Sequence, residues 1–405
     1  MTRPLYQYIL VTLSYWGFTI TDGALRMLVV LYFHSLGYSP FEVATLFLFY
    51  ECFGIVTNLF GGWLAAHWGL NTTLHIGLLL QMIALAMLMA DPAWLSVAYV
   101  MAAQALSGVA KDLNKMSAKS SIKLLVPDTA QGKLYAWVAF LTGSKNALKG
   151  AGFFIGALLL SAFEFRVAIL VLFIGLMMIC IGSFILLEKG VGKTRYKPGM
   201  RDLLSKSSAV NQLSAARFFL FGARDIWFVV ALPVFLQSEL GWSHTAVGSL
   251  LALWVIGYGG VQAIAPKLTQ VNNANVPDGR TALHWVMALG IVPLGIAAAL
   301  NNSSVDPTLV LVAGLTLFAI LFAINSSLHS YLIVAYAARD SVSLDVGFYY
   351  MANAAGRLVG TLLSGLLYQW QGLSICMIAA ALFTMAASLI SLQLPRHPRG
   401  VPGSG

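Results

Sequence analysis

The stretch Tyr135-Ala-Trp-Val-Ala-Phe-Leu-Thr-Gly-Ser-Lys145-Asn-Ala-Leu-Lys149-Gly-Ala-Gly-Phe-Phe-Ile-Gly156 reads as a membrane-crossing helix, yet it carries two lysines in its interior. The next polar break is Glu164. A helix leaving the membrane near Phe163 places Lys149 about 14 residues, roughly 21 Å, from that face. The hydrocarbon layer is about 30 Å thick, so Lys149 falls well inside it. A charge at that depth costs several kcal/mol and normally faces a cavity, a partner or a substrate path.

The rest of the chain fits such a helix. Of 405 residues, 59% are hydrophobic and only 10% charged, and the mean hydropathy is +0.80, whereas soluble chains carry about 25% charged residues. The sequence predicts an all-α integral membrane protein. The first apolar run is too long for a signal-peptide core and has no small-residue cleavage site, so it is expected to remain as a first span. Cys52, Cys180 and Cys376 are far apart in apolar segments, which excludes a disulfide framework or a thiolate metal site.

Apolar segments of spanning length fall at 6–34, 41–66, 73–90, 93–112, 134–163, 165–187, 213–238, 245–265, 282–300, 308–336, 344–371 and 373–394. With a cytoplasmic N-terminus, 17 of the 24 Lys and Arg residues lie on the inner side, one (Arg166) lies outside and six lie within spans. That bias puts both termini in the cytoplasm. The charge of +9 is then mostly topological, and nucleic acid is not an expected partner.

The polar stretch 188–212 divides the spans six and six. The expected organisation is a six-helix bundle over 1–187, a basic cytoplasmic linker over 188–212, a second bundle over 213–395 and a cytoplasmic tail over 396–405. The halves echo each other. Leu36-Gly37-Tyr38-Ser39, with Val43 and Gly54, returns as Leu240-Gly241-Trp242-Ser243 with Val247 and Gly257. Lys149, Gly152 and Gly156 line up with Arg357, Gly360 and Ser364. Duplicated six-span units are common in secondary transporters, which hold substrate near the midplane between the repeats.

Six cations (Arg26, Lys145, Lys149, Arg217, Arg224, Arg357) and three anions (Asp22, Glu51, Asp225) lie within spans. Lys149, Arg224 and Arg357 each fall about 14 residues from the outer end of their helix. Such a level suits an anionic substrate, because arginine grips a phosphate-like oxyanion bidentately. Against this, Asp22 with Arg26 and Arg224 with Asp225 are spaced to form internal ion pairs. Lys145 and Arg217 are close enough to the inner face to snorkel. Lys149 and Arg357 have no acid nearby in sequence, which favours a cavity role for both. Glu51 is either a partner for one of these cations or a proton carrier. Asn325, His329 and Tyr331, with Tyr349, Tyr350 and Asn353, offer hydrogen bonds either to a ligand or to neighbouring helices.

Lys111, Lys115, Lys119 and Lys123 repeat every four residues. Such a stripe is usually a solvated or headgroup-facing surface; a vestibule that gathers cytoplasmic anions is the sharper alternative. Gly190-Val-Gly-Lys193-Thr194 is not a phosphate-binding loop, because Leu187 stands where a glycine is needed and no strand precedes it. No paired-histidine metal motif or nucleophilic triad stands out, so neither an enzyme nor a cofactor is expected.

Twelve spans in a six-plus-six repeat resemble the major facilitator superfamily. Its loop signature after span two is only partly kept, since Gly62-Trp-Leu-Ala-Ala66-His67-Trp68-Gly69 has alanine for the acid and histidine for the base. Gly143, Gly152 and Gly156 keep the spacing of the superfamily's antiporter motif, with Ala157 in place of proline.

Three stretches resemble the organoarsenical efflux permeases of bacterial arsenate-resistance operons. They are Tyr15-Trp-Gly-Phe-Thr-Ile-Thr-Asp22-Gly-Ala-Leu-Arg26-Met, Ser107-Gly-Val-Ala-Lys111-Asp112-Leu-Asn-Lys115-Met-Ser-Ala-Lys119-Ser, and Thr142-Gly-Ser-Lys145-Asn-Ala-Leu-Lys149-Gly. The resemblance implies export of an arsenate ester of phosphoglycerate from the cytoplasm across the bacterial inner membrane. It also implies a functional link to glyceraldehyde-3-phosphate dehydrogenase, which makes that ester from arsenate.

The expected substrate ligands are Lys149, Arg357, Arg224, Arg26, Lys145, Asn325, Tyr349 and Asn353. Asp22, Glu51 and Asp225 are the candidates for a coupling proton, although uniport and anion exchange fit the residues equally well. A monomer in the lipid bilayer is expected. An uptake or exchange carrier for organophosphates needs the same cations. A non-transporting receptor or scaffold has little reason to keep them at one depth.

Overall fold

Long apolar segments in a bilayer must satisfy their backbone groups internally, and here they do so as helices. The computed structural model describes residues 3–37, 46–127, 130–188, 190–192, 199, 204, 206–242, 244–269, 276–301 and 304–396. The linker residues Lys189, Lys193, Arg195, Lys197 and Arg201, the repeat residues Ser39, Val43 and Ser243, and the tail from 397 lie outside them, as does the side chain of Glu51.

The helices are α1 (Arg3–Ser35), α2 (Leu48–Trp68), α3 (Leu70–Leu88), α4 (Val97–Leu125), α5 (Gln131–Ala162) and α6 (Phe165–Leu186). They continue as α7 (Ser208–Phe228), α8 (Ala231–Ser238), α9 (His244–Leu268), α10 (Gly279–Leu300), α11 (Pro307–Tyr336) and α12 (Val342–Ser391). Helices α7 and α8 together fill the seventh predicted span. Helix α12 covers the last two, broken at Gln371 and Gly372, where Gly372 takes a φ of 71°. Gly37 and Gly241, which share the repeated Leu-Gly pair, both sit at positive φ (91° and 66°) after the first span of each half. The repeat in sequence is therefore also a repeat in turn geometry.

Among the described residues, seven helical segments are long and apolar enough to cross a bilayer by length and composition; the last, Val342–Ser391, covers two predicted spans. Helices α1, α2, α4 and α5 fall outside that set. Of these, α1, α4 and α5 carry charged residues of the candidate site and α2 carries Tyr50.

The chain forms two compact units that are not consecutive blocks of sequence. The first comprises Met1–Pro127, Ser144–Ser205 and Ala337–Met351; the second comprises Asp128–Gly143, Lys206–Tyr336 and Ala352–Gly405. In the first, α4 packs on α2 and α3, and α1 packs on α4 and α6. The start of α12 lies against α2 so closely that a methyl group at Gly347 would stand 2.5 Å from the Asn58 carbonyl oxygen. In the second unit α11 packs on α7, α9 and α10. Its core is aromatic: Trp227 meets Trp254 and Phe318 edge-on, while Tyr258 stacks on Trp254 and Phe322. The Trp254 indole donates to the Leu315 carbonyl at 2.9 Å, so its polar atom is satisfied in that core.

Candidate functional site

In the first unit the site begins with a close approach of two helices. A methyl at Gly152 would stand 2.6 Å from the Ile20 carbonyl oxygen, and one at Gly156 would overlap that of Ala24. Only glycine lets α5 sit this close to α1, a small-residue contact typical of membrane helices. The approach brings Lys149 Nζ to 3.4 Å from Asp22 Oδ2. Asp22 is only 4% exposed.

From α2 the Tyr50 hydroxyl donates to both oxygens of Asp22, at 2.7 and 3.0 Å. The Tyr50 ring turns its π face toward three cations: Lys111 Nζ at 3.8 Å, the Arg26 guanidinium at 5.0 Å and Lys149 Nζ at 5.9 Å from the centroid. Arg26 also lies over Phe47 at 4.8 Å. Lys145 is partly buried and feels the charges of Lys149, Lys115 and Lys111.

The second unit builds a similar arrangement from α7 and α12. A methyl at Gly356 would overlap the Phe218 carbonyl, and one at Gly360 would stand 2.6 Å from that of Gly222. Arg357 Nε consequently donates to Asp225 Oδ2 at 3.0 Å, and Arg224 Nε to Asp225 Oδ1 at 2.6 Å. Asp225 has no exposed surface. The Arg224 guanidinium stands over Phe221, Phe228 and Phe322 at 5.2, 5.7 and 5.6 Å. Two turns earlier on α7, Arg217 donates from Nε to Asn353 Oδ1 at 2.8 Å and from one terminal nitrogen to the Ser326 carbonyl and hydroxyl at 3.3 and 3.2 Å.

Several sequence expectations change. Lys149 and Arg357 do have carboxylate partners, supplied across a helix contact by Asp22 and Asp225. Asp22 pairs with Lys149 on another helix, while Arg224 and Asp225 do pair as their adjacency suggested. Arg217 does not snorkel, because it is 3% exposed and bonded inside the unit. Asn325 is used in helix packing, donating to the Trp285 and Leu321 carbonyls at 2.8 and 2.9 Å. Tyr349 is fully buried in the first unit, edge-on to Tyr350. Asn353 joins the second cluster, through Arg217. Tyr50 and Ser326 were missed; a phenol beside Glu51 in mid-span was the available signal for Tyr50.

The lysine stripe of α4 is not a solvated face. Lys119 and Lys123 are 3% and 4% exposed. Asp112 takes Lys115 at 2.5 Å and lies 3.9 Å from Lys111. Among the described residues no three His, Cys, Asp or Glu side chains gather as a metal site would require.

A many-span helical protein with a buried acid–cation pair repeated in its two halves has the make-up of a secondary transporter. The sequence matches the Major Facilitator Superfamily twice, over residues 8–224 and 213–405, and the chain belongs to that superfamily of membrane transporters. No curated protein matches it in sequence.

Among solved structures it is similar to the human organic anion transporter MFSD10 (TM-score 0.76, 14% identity, covering 96% of this chain and 100% of that one). It is also similar to a bacterial homologue of the iron transporter ferroportin in an outward-facing state (0.74, 13%, 95% and 98%). A third is the E. coli fucose:proton symporter FucP (0.73, 10%, 96% and 99%). At such identities these likenesses establish the fold.

Proposed function

We propose that this multi-pass transporter exports a small phosphorylated organic anion, specifically an arsenate ester of phosphoglycerate, from the bacterial cytoplasm and so confers arsenate resistance. The observation that carries the reading is the repeated buried acid–cation pair, set among further cations. Arg26, Lys111, Lys115, Lys145 and Lys149 gather round Asp22 and Asp112, and Arg224 and Arg357 converge on Asp225. A substrate oxyanion would take the place of each carboxylate beside its cations. A phosphate or arsenate group, with more oxygens and charge, competes for the same lysine and arginine donors.

The three stretches that carry the resemblance to organoarsenical permeases supply Asp22, Arg26, Lys111 and Lys149, which surround Tyr50, together with Asp112, Lys115, Lys119 and Lys145. That coincidence supports an arsenylated cargo over a generic one. The six-span halves, 1–187 and 213–395, are proposed as the bodies whose rearrangement opens the path to one side and then the other, with both termini in the cytoplasm. Export of a multiply charged anion needs no proton. An inside-negative potential drives it outward with about 2.3 kcal/mol per charge at 100 mV.

One feature favours the second reading, an organophosphate uptake carrier. An anion that takes Lys149 from Asp22 leaves that carboxylate to accept a proton, so anion and proton bind together, and an inward proton gradient then drives uptake. Everted membrane vesicles given arsenate, glyceraldehyde-3-phosphate, the dehydrogenase and its nicotinamide cofactor separate the two. Arsenic accumulation only in the complete mixture supports the exporter. Accumulation of labelled organophosphate without arsenic replaces the cargo.

A further inference from the structure

Helix α4 carries four lysines at 111, 115, 119 and 123 and a single acid, Asp112. Each step of four residues rises about 6 Å and turns about 40° past a full revolution, so the ammonium groups follow one face from mid-helix to the C-terminal end. Burying such a series costs free energy, and a buried charge is kept where it is paired or used.

Three of the lysines meet aromatic faces. Lys111 lies over Tyr50 at 3.8 Å, while Lys115 and Lys119 lie over Tyr350 at 4.4 and 5.1 Å. A π face stabilises an ammonium without neutralising it; Asp112 shares its charge between Lys115 and Lys111, so an oxyanion here competes with a carboxylate for the ammonium groups, as it does at Asp22. Tyr350 belongs to the first unit through the start of α12, which is fixed there by Arg339 donating to the Val126 carbonyl at 2.8 Å beyond the end of α4. The upper end of the series joins the site already described, since Lys111 shares the Tyr50 ring with Lys149 and Arg26.

We propose that Lys111, Lys115 and Lys119, with the ring faces of Tyr50 and Tyr350, form a second oxyanion site in the first unit, staged between the C-terminal end of α4 and Lys149. It takes the phosphate-type group of the cargo and passes it on in steps of about 6 Å. Occupancy at several modest sites, rather than one tight site, lets a charged permeant both enter and leave. The proposal rests on the reading of the cargo as an anion.

The test uses full-length protein in detergent at low salt, with 3-phosphoglycerate as probe and inorganic phosphate as a parallel arm. The variants are Lys119→Gln, Lys119→Arg and Lys149→Gln. Relative to wild type, Lys119→Gln and Lys149→Gln should each bind one anion fewer per chain. In flux assays Lys119→Gln should raise the half-saturating concentration about tenfold on the cytoplasmic face only, and Lys119→Arg should restore it.

Equal action of inorganic phosphate would mean that the site reads the oxyanion itself; preference for 3-phosphoglycerate would mean that it reads the ester. A folded Lys119→Gln protein with unchanged stoichiometry and unchanged saturation overturns the second site, while loss of flux in Lys149→Gln leaves the main site standing. No anion binding by wild type removes the functional reading as well. If Lys119→Gln does not fold, Lys115→Gln is read in the same way.

Discussion

Replacing Asp22 and Lys149 singly and together tests whether their contact holds α1 to α5. At 3.4 Å and an effective dielectric of about 20, the attraction is about 5 kcal/mol before desolvation is charged against it. Removing one partner of a buried pair leaves the other charge stranded, at about 3–5 kcal/mol. Asp22→Asn keeps an oxygen that can accept from the Tyr50 hydroxyl, so its cost falls near the lower figure. Lys149→Gln leaves Asp22 with Tyr50 and falls there too.

The double variant Asp22→Asn/Lys149→Gln strands neither charge and should recover about 2–3 kcal/mol relative to the sum of the singles. In thermal unfolding of detergent-purified protein each single should lose roughly 3–4 °C, and the double should lose about as much as one single, well short of the sum. Strictly additive losses would show that the two groups do not interact. Anion binding separates the roles: Asp22→Asn, which keeps the lysine, should still bind 3-phosphoglycerate, and the double variant should bind it weakly. The pairing also means that a Lys149→Ala variant loses stability along with transport, so its flux must be normalised to folded protein.

Tyr50→Phe removes the hydroxyl from Asp22 and keeps the ring under Lys111; it should cost about 1.5–3 kcal/mol, read as a lower unfolding midpoint with the protein still assembled. Arg217→Lys cannot donate to Asn353 and Ser326 together and should lose a similar amount, whereas a snorkelling residue would tolerate the change in the same unfolding assay. In proteoliposomes with an imposed potassium-diffusion potential, anion efflux should follow the potential, the equilibrium ratio rising about 50-fold per charge at 100 mV; a ratio indifferent to potential but responsive to pH would favour proton-linked movement.

The helical segments and their duplication were legible because hydropathy is a local property of the chain. That Lys149 lies inside a long helix was legible for the same reason. Its partner was not: Asp22 lies on another helix, and the contact depends on the backbone approach at Gly152 and Gly156. For Arg217 the sequence left snorkelling open, because Asn353 and Ser326, which hold it inside the unit, come from α12 and α11. The α4 stripe looked solvated because a four-residue lysine repeat normally is; the rings that cover it come from α2 and α12. Tyr50 carried no sequence flag beyond its neighbour Glu51, although it joins the acid to three cations. In each case the spacing along one helix was right and the missing term was a side chain on another.

The most direct test of the account is anion flux through proteoliposomes carrying Lys149→Gln or Arg357→Gln, normalised to folded protein, with labelled 3-phosphoglycerate as the transported anion. Loss of flux in both variants, with wild type active, is the predicted result; normal flux in both would contradict the claim that the repeated acid–cation pairs carry the anion.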